Sequence, residues 1–191
     1  MKLDTDFRAM HTSGGRSRTH RPVEGDHETY VPPAWLFESA PEQVWWGADY
    51  YRAHLPAGGS WYVWDKRSTL DSEAAYTVAD FDAVLGGHFE LAWSRQQHRR
   101  VMLRYLWSGH HGMQGEDTPR RVHPTQKPVA MFAALIESLT SVGDVVFDPY
   151  AGSGTTLVAA HRTGRVAHLV ELDPAYCDVI RDRWATLESA K

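Results

Sequence analysis

The clearest chemical signal in this chain is a glycine-rich turn in its C-terminal third. The string VVFDPYAGSGTT, residues 145–156, predicts a strand that ends at Asp148, a tight turn with Gly152 and Gly154, and a helix directly after it. Glycine adopts backbone angles that other residues resist, and it lets a ligand approach the main chain closely. The free amides at the start of a helix favour a negative group such as a carboxylate. The turn therefore predicts a site for a small molecule with an anionic group.

Two other ligand classes fit this turn poorly. A dinucleotide-binding fingerprint requires a third glycine where this chain has Leu157, which disfavours a nicotinamide-dependent oxidoreductase. A phosphate-binding loop requires a lysine before its serine or threonine, and the turn contains no lysine. A tight strand-to-helix turn that binds nothing stays open as the structural alternative.

A second signal is an acidic residue at the end of the next predicted strand. Glu171 lies in the string HLVELDPAY, and an acid in that position can accept two hydrogen bonds from ribose hydroxyls. The alternative is a carboxylate that caps the following helix. Asp173 suits capping better, because Pro174 would then occupy the first helical position. Glu171 is therefore a candidate ligand residue.

The elements that must position these residues follow from hydrophobic periodicity. Strands are predicted at residues 60–64, 88–94, 100–107, 144–147 and 166–170, and a short helical stretch at 34–40. Helices are predicted at residues 128–140, at 155–162 with Gly164 just past the end, and after Asp173. The last helix should bury a stripe made of Tyr176, Ile180, Trp184 and Leu187. Alternation of strand and helix in the C-terminal third implies a parallel sheet with crossover helices.

Composition places the chain among soluble globular proteins. It has 191 residues, 42% of them apolar and 23% charged, which suffices for one domain with a core. Eight tryptophans are many for this length and are expected mainly in the core. No apolar run is long enough to span a membrane, the N-terminus lacks the apolar stretch of a signal peptide, and there is one cysteine. We expect a cytoplasmic protein without a membrane partner.

A third string, HPTQKP at residues 123–128, is on composition alone a polar turn before a helix. Together, HPTQKP, DPYAGSGTT and ELDPAY resemble the β-type DNA amino-methyltransferases, which methylate adenine N6 or cytosine N4. VWWGADYY and GSWYVWDKR further upstream resemble small phage and prophage members of that family, so the likeness covers nearly all of the chain after residue 22. It implies methyl transfer from S-adenosylmethionine to an exocyclic amino group of double-stranded DNA, with adenine favoured and no metal required.

The resemblance also implies a fold and a set of cofactor-binding residues. The fold is an α/β, Rossmann-like methyltransferase fold with a mixed, mostly parallel sheet and helices on both faces. Glu171 matches the acid that binds the cofactor ribose. The family's cofactor loop commonly reads Asp-Pro-Phe, so the tyrosine at position 150 is a departure. The remaining matches are Asp148, Pro149, Tyr150, Gly152, Gly154 and Thr155 in the cofactor loop, and His123, Thr125, Gln126 and Lys127 at the methionine end.

One motif of the family has no match in this chain. The catalytic tetrapeptide, Asp/Ser/Asn-Pro-Pro-aromatic, orients the target amine and stacks on the flipped base. Residues 31–34, VPPA, have the two prolines without the flanking residue types, so no catalytic residue is assigned. We expect the motif and its central strand upstream of Met1, which would leave the two flanking strands, the one that ends at Asp148 and the one at residues 60–64, with unpaired edges. The gap could stay as a groove, the two strands could pair directly, or an N-terminal segment could fill it. The chain as numbered should then be weakly stable and inactive, and an extended version active. An inactive relic, or a binding module of the same fold, is the alternative.

The domain organisation and the DNA contacts are predicted from position. Residues 1–30 are expected to form a flexible polar arm, and residues 31–191 one methyltransferase domain. That domain divides into a target-side half at 31–107, an exposed loop at 108–121 and a cofactor-binding half at 122–191. Residues 8–30 and 108–121 are candidates for base readout. Candidate phosphate contacts, with ordinary surface charge as the alternative, are Arg16, Arg18, Arg21, Arg120 and Arg121.

Overall fold

A computed structural model describes residues 30–66, 89–105 and 122–189. The chain divides into two compact units, residues 1–106 and 107–191. The prediction that residues 31–191 form one domain, with a target-side half at 31–107 and a cofactor-binding half at 122–191, stays a prediction. The predicted arm lies outside the described residues except for Tyr30, and the predicted loop at 108–121 lies outside them entirely.

The first unit is built on a four-stranded mixed sheet. Its strands are β1 (Val44–Trp46), β2 (Ser60–Asp65), β3 (Phe89–Ser94) and β4 (Val101–Arg104), in the order β1-β3-β2-β4. Strands β1 and β2 run antiparallel to β3, and β4 runs parallel to β2. Short 3₁₀ helices occupy Ala34–Glu38 and Arg52–His54. The three strands predicted for this half are confirmed, although the last is shorter than expected.

The pairing of β4 corrects one expectation. The strand at residues 60–64 was expected to present an unpaired edge where the family's catalytic strand would lie. Instead β4 pairs with that edge in parallel, from Tyr62 opposite Val101 to Asp65 opposite Arg104. The connection between β3 and β4 lets the chain return to the same sheet and bond these main-chain groups. Within the described residues, β5 (Val145–Asp148) pairs only with β6 (Val166–Leu169).

The core of the first unit is aromatic. Trp64 and Trp93 are 1% and 2% exposed, and each indole N–H donates to a main-chain carbonyl, at 2.9 Å to Tyr105 and 3.1 Å to Gly58. A buried indole needs such an acceptor, because an unsatisfied N–H is costly. Trp35 differs, since it is 60% exposed. The prediction that tryptophans serve mainly as core is confirmed for the first two.

The second unit alternates helix and strand. Its elements are α1 (Val129–Leu139), β5, α2 (Thr155–Arg162), β6 and α3 (Pro174–Ser189), and β5 and β6 are parallel. Each of these elements was predicted to within one or two residues, except that the end of α3 was not predicted. The Asp173 carboxylate accepts from the Ala175 amide at 2.8 Å, which confirms the cap of α3 with Pro174 at its first position. Gly164 follows α2 at φ 74°, as expected for a glycine past a helix end.

The β5–β6 sheet is covered on one face by the helices of its own unit. Val146 and Ala167 pack against a core of α1 and α2 residues, which are Val129, Ile136, Val158, Ala159 and Ala160. On the opposite face Val145 is 58%, Phe147 41% and Val166 49% exposed. The prediction that residues 144–147 form a buried strand is therefore wrong in part. Successive side chains of a strand point to opposite faces, and α1 and α2 pack on only one of them.

The buried face of α3 also differs from its prediction. Tyr176 is buried as expected, but the most buried residue of the helix is Arg183, at 5% exposed. Ile180, Trp184 and Leu187 are only partly buried. Arg183 lies two turns after Tyr176 on the same face, a position that apolar periodicity alone assigns to a hydrophobic residue.

Candidate cofactor-binding site

The turn between β5 and α2 is held at its start by Asp148. One carboxylate oxygen accepts from the Tyr150 amide at 3.0 Å, and the other from the Thr156 hydroxyl at 2.5 Å. Burial raises the pKa of the Asp148 carboxyl, these two hydrogen bonds lower it, and the nearby Glu171 carboxylate raises it further. Asp148 therefore joins the end of the strand to the first turn of the helix, which fixes the entry and exit of the glycine-rich segment.

Glu171 holds the same turn from the end of β6. Its Oε2 accepts from the Gly152 amide at 2.7 Å, and its Oε1 accepts from the Asp173 amide at 2.9 Å. The Ala151 amide adds a third link, at 3.0 Å to the carbonyl of Val170. A carboxylate has about four acceptor positions, so two amides leave capacity for hydroxyl donors. The structure thus places Glu171 beside the turn, and its contact with a ribose stays a prediction.

The two glycines of the turn face the protein's own side chains. Gly152 has φ 54°, and a Cβ there would lie 3.4 Å from Nε2 of His123. Gly154 has φ 80°, and a Cβ there would lie 2.9 Å from Cγ1 of Ile180. Both positions therefore favour glycine for their backbone conformation, and Gly154 favours it also because a Cβ there would clash with Ile180. The position that a Cβ would take at either glycine faces a side chain of the protein, so a ligand could approach these glycines only from another direction.

The HPTQKP segment supports the turn from the other side. The His123 ring is 7% exposed, lies 4.3 Å from the ring of Tyr176, and accepts at Nδ1 from the Thr125 amide at 3.2 Å. The Thr155 hydroxyl donates to the carbonyl of Lys127 at 3.2 Å, which ties the segment to the start of α2. The segment and the glycine-rich turn are thus parts of one packed structure, although they are far apart in sequence.

The predicted cofactor-binding residues divide by exposure. Gln126 is 3% exposed and accepts from the Val122 amide at 2.8 Å, so its role in the structure is internal. Tyr150 is 56% exposed, Thr125 is exposed, and Lys127 is partly exposed, with its ammonium 3.1 Å from the carbonyl of Thr125. Side chains that a ligand could reach therefore lie on both segments, above a buried layer that shapes the main chain.

Helix α3 contributes contacts that the sequence did not predict. Nη1 of Arg183 donates to the carbonyl oxygen of Ser153 at 2.6 Å, and Ser153 is 3% exposed. Ile180 contacts Gly154, and Tyr176 contacts the histidine that lies against Gly152. The sequence signalled the Arg183 contact only by spacing, because Arg183 occupies a position of α3 where the helical pattern predicts an apolar residue.

The predicted phosphate-contacting arginines at positions 16, 18, 21, 120 and 121 lie outside the described residues. Their contact with DNA stays a prediction. Among the helices that the structure does describe, none is long and apolar enough to cross a bilayer.

Comparison with known proteins now places the chain in a family. The family model described as DNA methylase, that of the N6 and N4 methyltransferases, matches residues 38–182, which is most of the chain. The chain belongs to the DNA methylase family. The resemblance drawn from the three motifs is thereby confirmed, and with it the α/β methyltransferase class of the fold.

Two curated relatives align over shorter stretches. The protein that carries the name methylase YubD, from Escherichia coli (strain K12), is 44% identical over 70 residues, which are 37% of this chain and 31% of that protein. The type II methyltransferase M2.DpnII of Streptococcus pneumoniae is 41% identical over 61 residues, 32% of this chain and 23% of that protein. The chain matches less than a third of the length of either relative.

Solved structures show a weaker likeness. The M1.HpyAVI–SAM complex is 18% identical and covers 81% of this chain and 85% of its own, with a TM-score of 0.49. TTHA0409 of Thermus thermophilus, complexed with S-adenosyl-L-methionine, is 25% identical and covers 72% and 57%, with a TM-score of 0.43. Family membership rests on the sequence match.

Proposed function

We propose that the second unit binds S-adenosylmethionine, and that the chain is the main part of a DNA methyltransferase acting on an exocyclic amino group of double-stranded DNA. The observation that carries the proposal is the hydrogen bond between Glu171 and the Gly152 amide. It brings the acid at the end of one strand onto the glycine-rich turn that follows its neighbour. This pairing is the arrangement that a nucleoside-containing cofactor requires.

The residues present fit such a cofactor. Glu171 retains acceptor capacity for ribose hydroxyls beside the turn. Lys127 and Thr125, on the adjoining segment, provide a positive charge and a hydroxyl suited to the carboxylate of the methionine end. Tyr150 presents an exposed ring next to the same turn. The remaining predicted residues hold the main chain in place beneath these four.

When bound, S-adenosylmethionine supplies a methyl group on a positively charged sulfur, which an amine nitrogen can accept in line before it loses a proton. The second unit's part is to bind and orient: its polar groups hold the two ends of the cofactor while the packed layer keeps the turn rigid. Residues that orient the target amine are not assigned in this chain. Adenine N6 is the proposed target, on the resemblance to small phage and prophage enzymes.

Calorimetric titration with S-adenosylmethionine tests the first half of the proposal. Saturable binding with one site per chain is expected, and no binding at millimolar cofactor would refute it. The second half is tested by incubating unmethylated DNA with labelled cofactor and identifying the methylated nucleoside by mass spectrometry. N6-methyladenine is expected from a version that carries the family tetrapeptide, because no residue of this chain is assigned to orient the target amine. N4-methylcytosine would contradict the proposed target.

A DNA contact by the arginines at positions 16, 18, 21, 120 and 121 predicts strong salt dependence. Each phosphate that a basic side chain neutralises releases condensed counterions, so affinity should fall steeply between low and physiological salt. A flat dependence would mean that these arginines are ordinary surface charge.

Cofactor and DNA binding without methyl transfer, even by a version that carries the family tetrapeptide, would favour the alternative of a non-catalytic module. A cytoplasmic location and a prophage origin belong to the same proposal.

A further inference from the structure

We infer that Arg183 is a positioning residue for the cofactor turn: through its hydrogen bond to Ser153 it sets the conformation of the turn and so the affinity for S-adenosylmethionine. The inference rests on the proposed function. Arg183 lies in the middle of α3 at 5% exposed, and its Nη1 lies 2.6 Å from the carbonyl oxygen and 3.4 Å from the hydroxyl of Ser153.

A buried arginine at this position needs a reason. Taking a guanidinium out of water is costly unless its donors are satisfied, and a methionine or leucine would fill the same space without that cost. Ser153 is itself buried, and its carbonyl requires a donor once it is removed from water. Arg183 supplies that donor with a charged group, which makes the hydrogen bond short and strong.

The flanking residues show why this carbonyl matters. Ser153 lies between Gly152 at φ 54° and Gly154 at φ 80°, and glycine has the widest choice of backbone angles. The peptide plane that carries the Ser153 carbonyl is held on its amide side within the turn, where the Gly154 amide donates to the carbonyl of Ala151 at 2.8 Å. The contact from Arg183 holds the carbonyl side of the same plane from outside the turn, across 30 positions in sequence.

One face of α3 packs against the central residues of the turn. Tyr176, Ile180 and Arg183 lie on that face because they are four and three positions apart. Tyr176 packs on the histidine ring that lies against Gly152, Ile180 contacts Gly154, and Arg183 bonds the residue between them. A turn that is ordered before binding does not lose further conformational entropy when the ligand binds.

The consequence for the cofactor runs through the Gly152 amide. This amide donates to Glu171 at 2.7 Å, so its direction determines where that carboxylate lies. If the Ser153 carbonyl loses its donor and the turn shifts, the Gly152 amide and the Glu171 carboxylate lose their common alignment. Affinity for the cofactor should then fall more than the loss of global stability explains.

The experiment compares Arg183→Met and Arg183→Lys with the wild type and with Thr163→Val. Thr163 is buried in the same unit, and its hydroxyl donates to Ala159 and Ala160 at the far end of α2, so this variant loses a buried hydrogen bond without touching the turn. The measurements are the Kd for S-adenosylmethionine at a temperature where each variant is folded, the melting temperature, and the amide resonances of the turn glycines.

For Arg183→Met we expect cofactor binding weaker by about tenfold, the effect of one lost charged hydrogen bond. Arg183→Lys should recover part of the affinity, because an ammonium can still donate to the carbonyl. The Gly152 and Gly154 amide resonances should move in both variants. Thr163→Val should lower the melting temperature while its Kd stays within about twofold of the wild type.

Four results separate the possible failures. Unchanged affinity in a folded Arg183→Met chain would overturn the inference, and so would an equal loss of affinity in Thr163→Val at the same melting temperature. If Arg183→Met does not fold, Arg183→Lys decides by the same criterion. If the wild type binds no cofactor, the proposed function fails, and the glycine resonances still decide whether Arg183 sets the turn.

Discussion

In both units of the chain a buried side-chain donor bonds a main-chain carbonyl, but the carbonyls lie at different kinds of place. In the first unit the donors are the indoles of Trp64 and Trp93, and the acceptors lie just beyond the strands of the sheet. In the second unit the donor is a guanidinium, and the acceptor lies inside the glycine-rich turn. An aromatic donor adds much apolar burial to its hydrogen bond, whereas a charged donor adds direction at a cost in desolvation. The first arrangement suits stability, and the second suits the shape of a binding site.

The largest effect is expected in the aromatic core. Trp64→Ala removes a side chain that is 1% exposed, and it should lower the free energy of unfolding by about 3–5 kcal/mol. Trp35→Ala is the matched control, because that side chain is 60% exposed and its loss should change stability by about 0.5 kcal/mol or less. Urea denaturation followed by circular dichroism measures both. Equal losses in the two variants would break the assignment of Trp64 to the core.

The next effect isolates the packing of the turn. Gly154→Ala should cost about 1–3 kcal/mol, because φ is 80° and the new Cβ would lie 2.9 Å from Ile180. Gly143→Ala is the control, since Gly143 has φ 88° with nothing within 4 Å of its Cβ position. The difference between the two variants in thermal unfolding reports the contact with α3. Adding Ile180→Ala to Gly154→Ala should recover that difference, and no recovery would mean that strain alone is responsible.

Glu171 distinguishes support of the turn from contact with the cofactor. Glu171→Ala should weaken binding of S-adenosylmethionine by roughly 1–3 kcal/mol, and the exposed Glu188→Ala should leave it unchanged. A cofactor analogue without the ribose 2′-hydroxyl sharpens the test. In calorimetry the wild type should bind the analogue more weakly than S-adenosylmethionine. The Glu171→Ala variant should bind the two ligands with equal affinity. An equal penalty in both chains would show that Glu171 acts through the turn and does not contact the ribose.

The smallest effect concerns pH. Burial raises the folded-state pKa of Asp148 above its unfolded value, so this group's contribution to stability is fully present below the unfolded pKa, about 3.9, and is lost as pH rises through the folded pKa. Asp148→Asn should therefore gain stability relative to the wild type as pH rises above that value. Urea unfolding of both chains between about pH 4 and 7 gives the difference. Asp144→Asn, just before the same strand, is the control, and an equal trend there would contradict the prediction.

The sequence by itself determined the elements and the motifs, because these depend on interactions within a few residues. Apolar spacing located the strands and helices, Asp173 with Pro174 marked the start of α3, and the three motif strings identified the family. These signals are local: they report side-chain periodicity, capping and backbone preference, all of which act over about four residues. The absence of the catalytic tetrapeptide was likewise read directly from the printed residues.

Only the tertiary structure decided what the motifs are packed against. Glu171 meets the Gly152 amide across 19 positions and Arg183 meets Ser153 across 30, and no local rule predicts either pairing. The same holds for β4 beside β2 and for the exposed face of Phe147, since both depend on which surfaces the rest of the chain covers. A charged residue in an apolar pattern is ambiguous in sequence, because its cost of burial is offset only by a partner that folding brings to it.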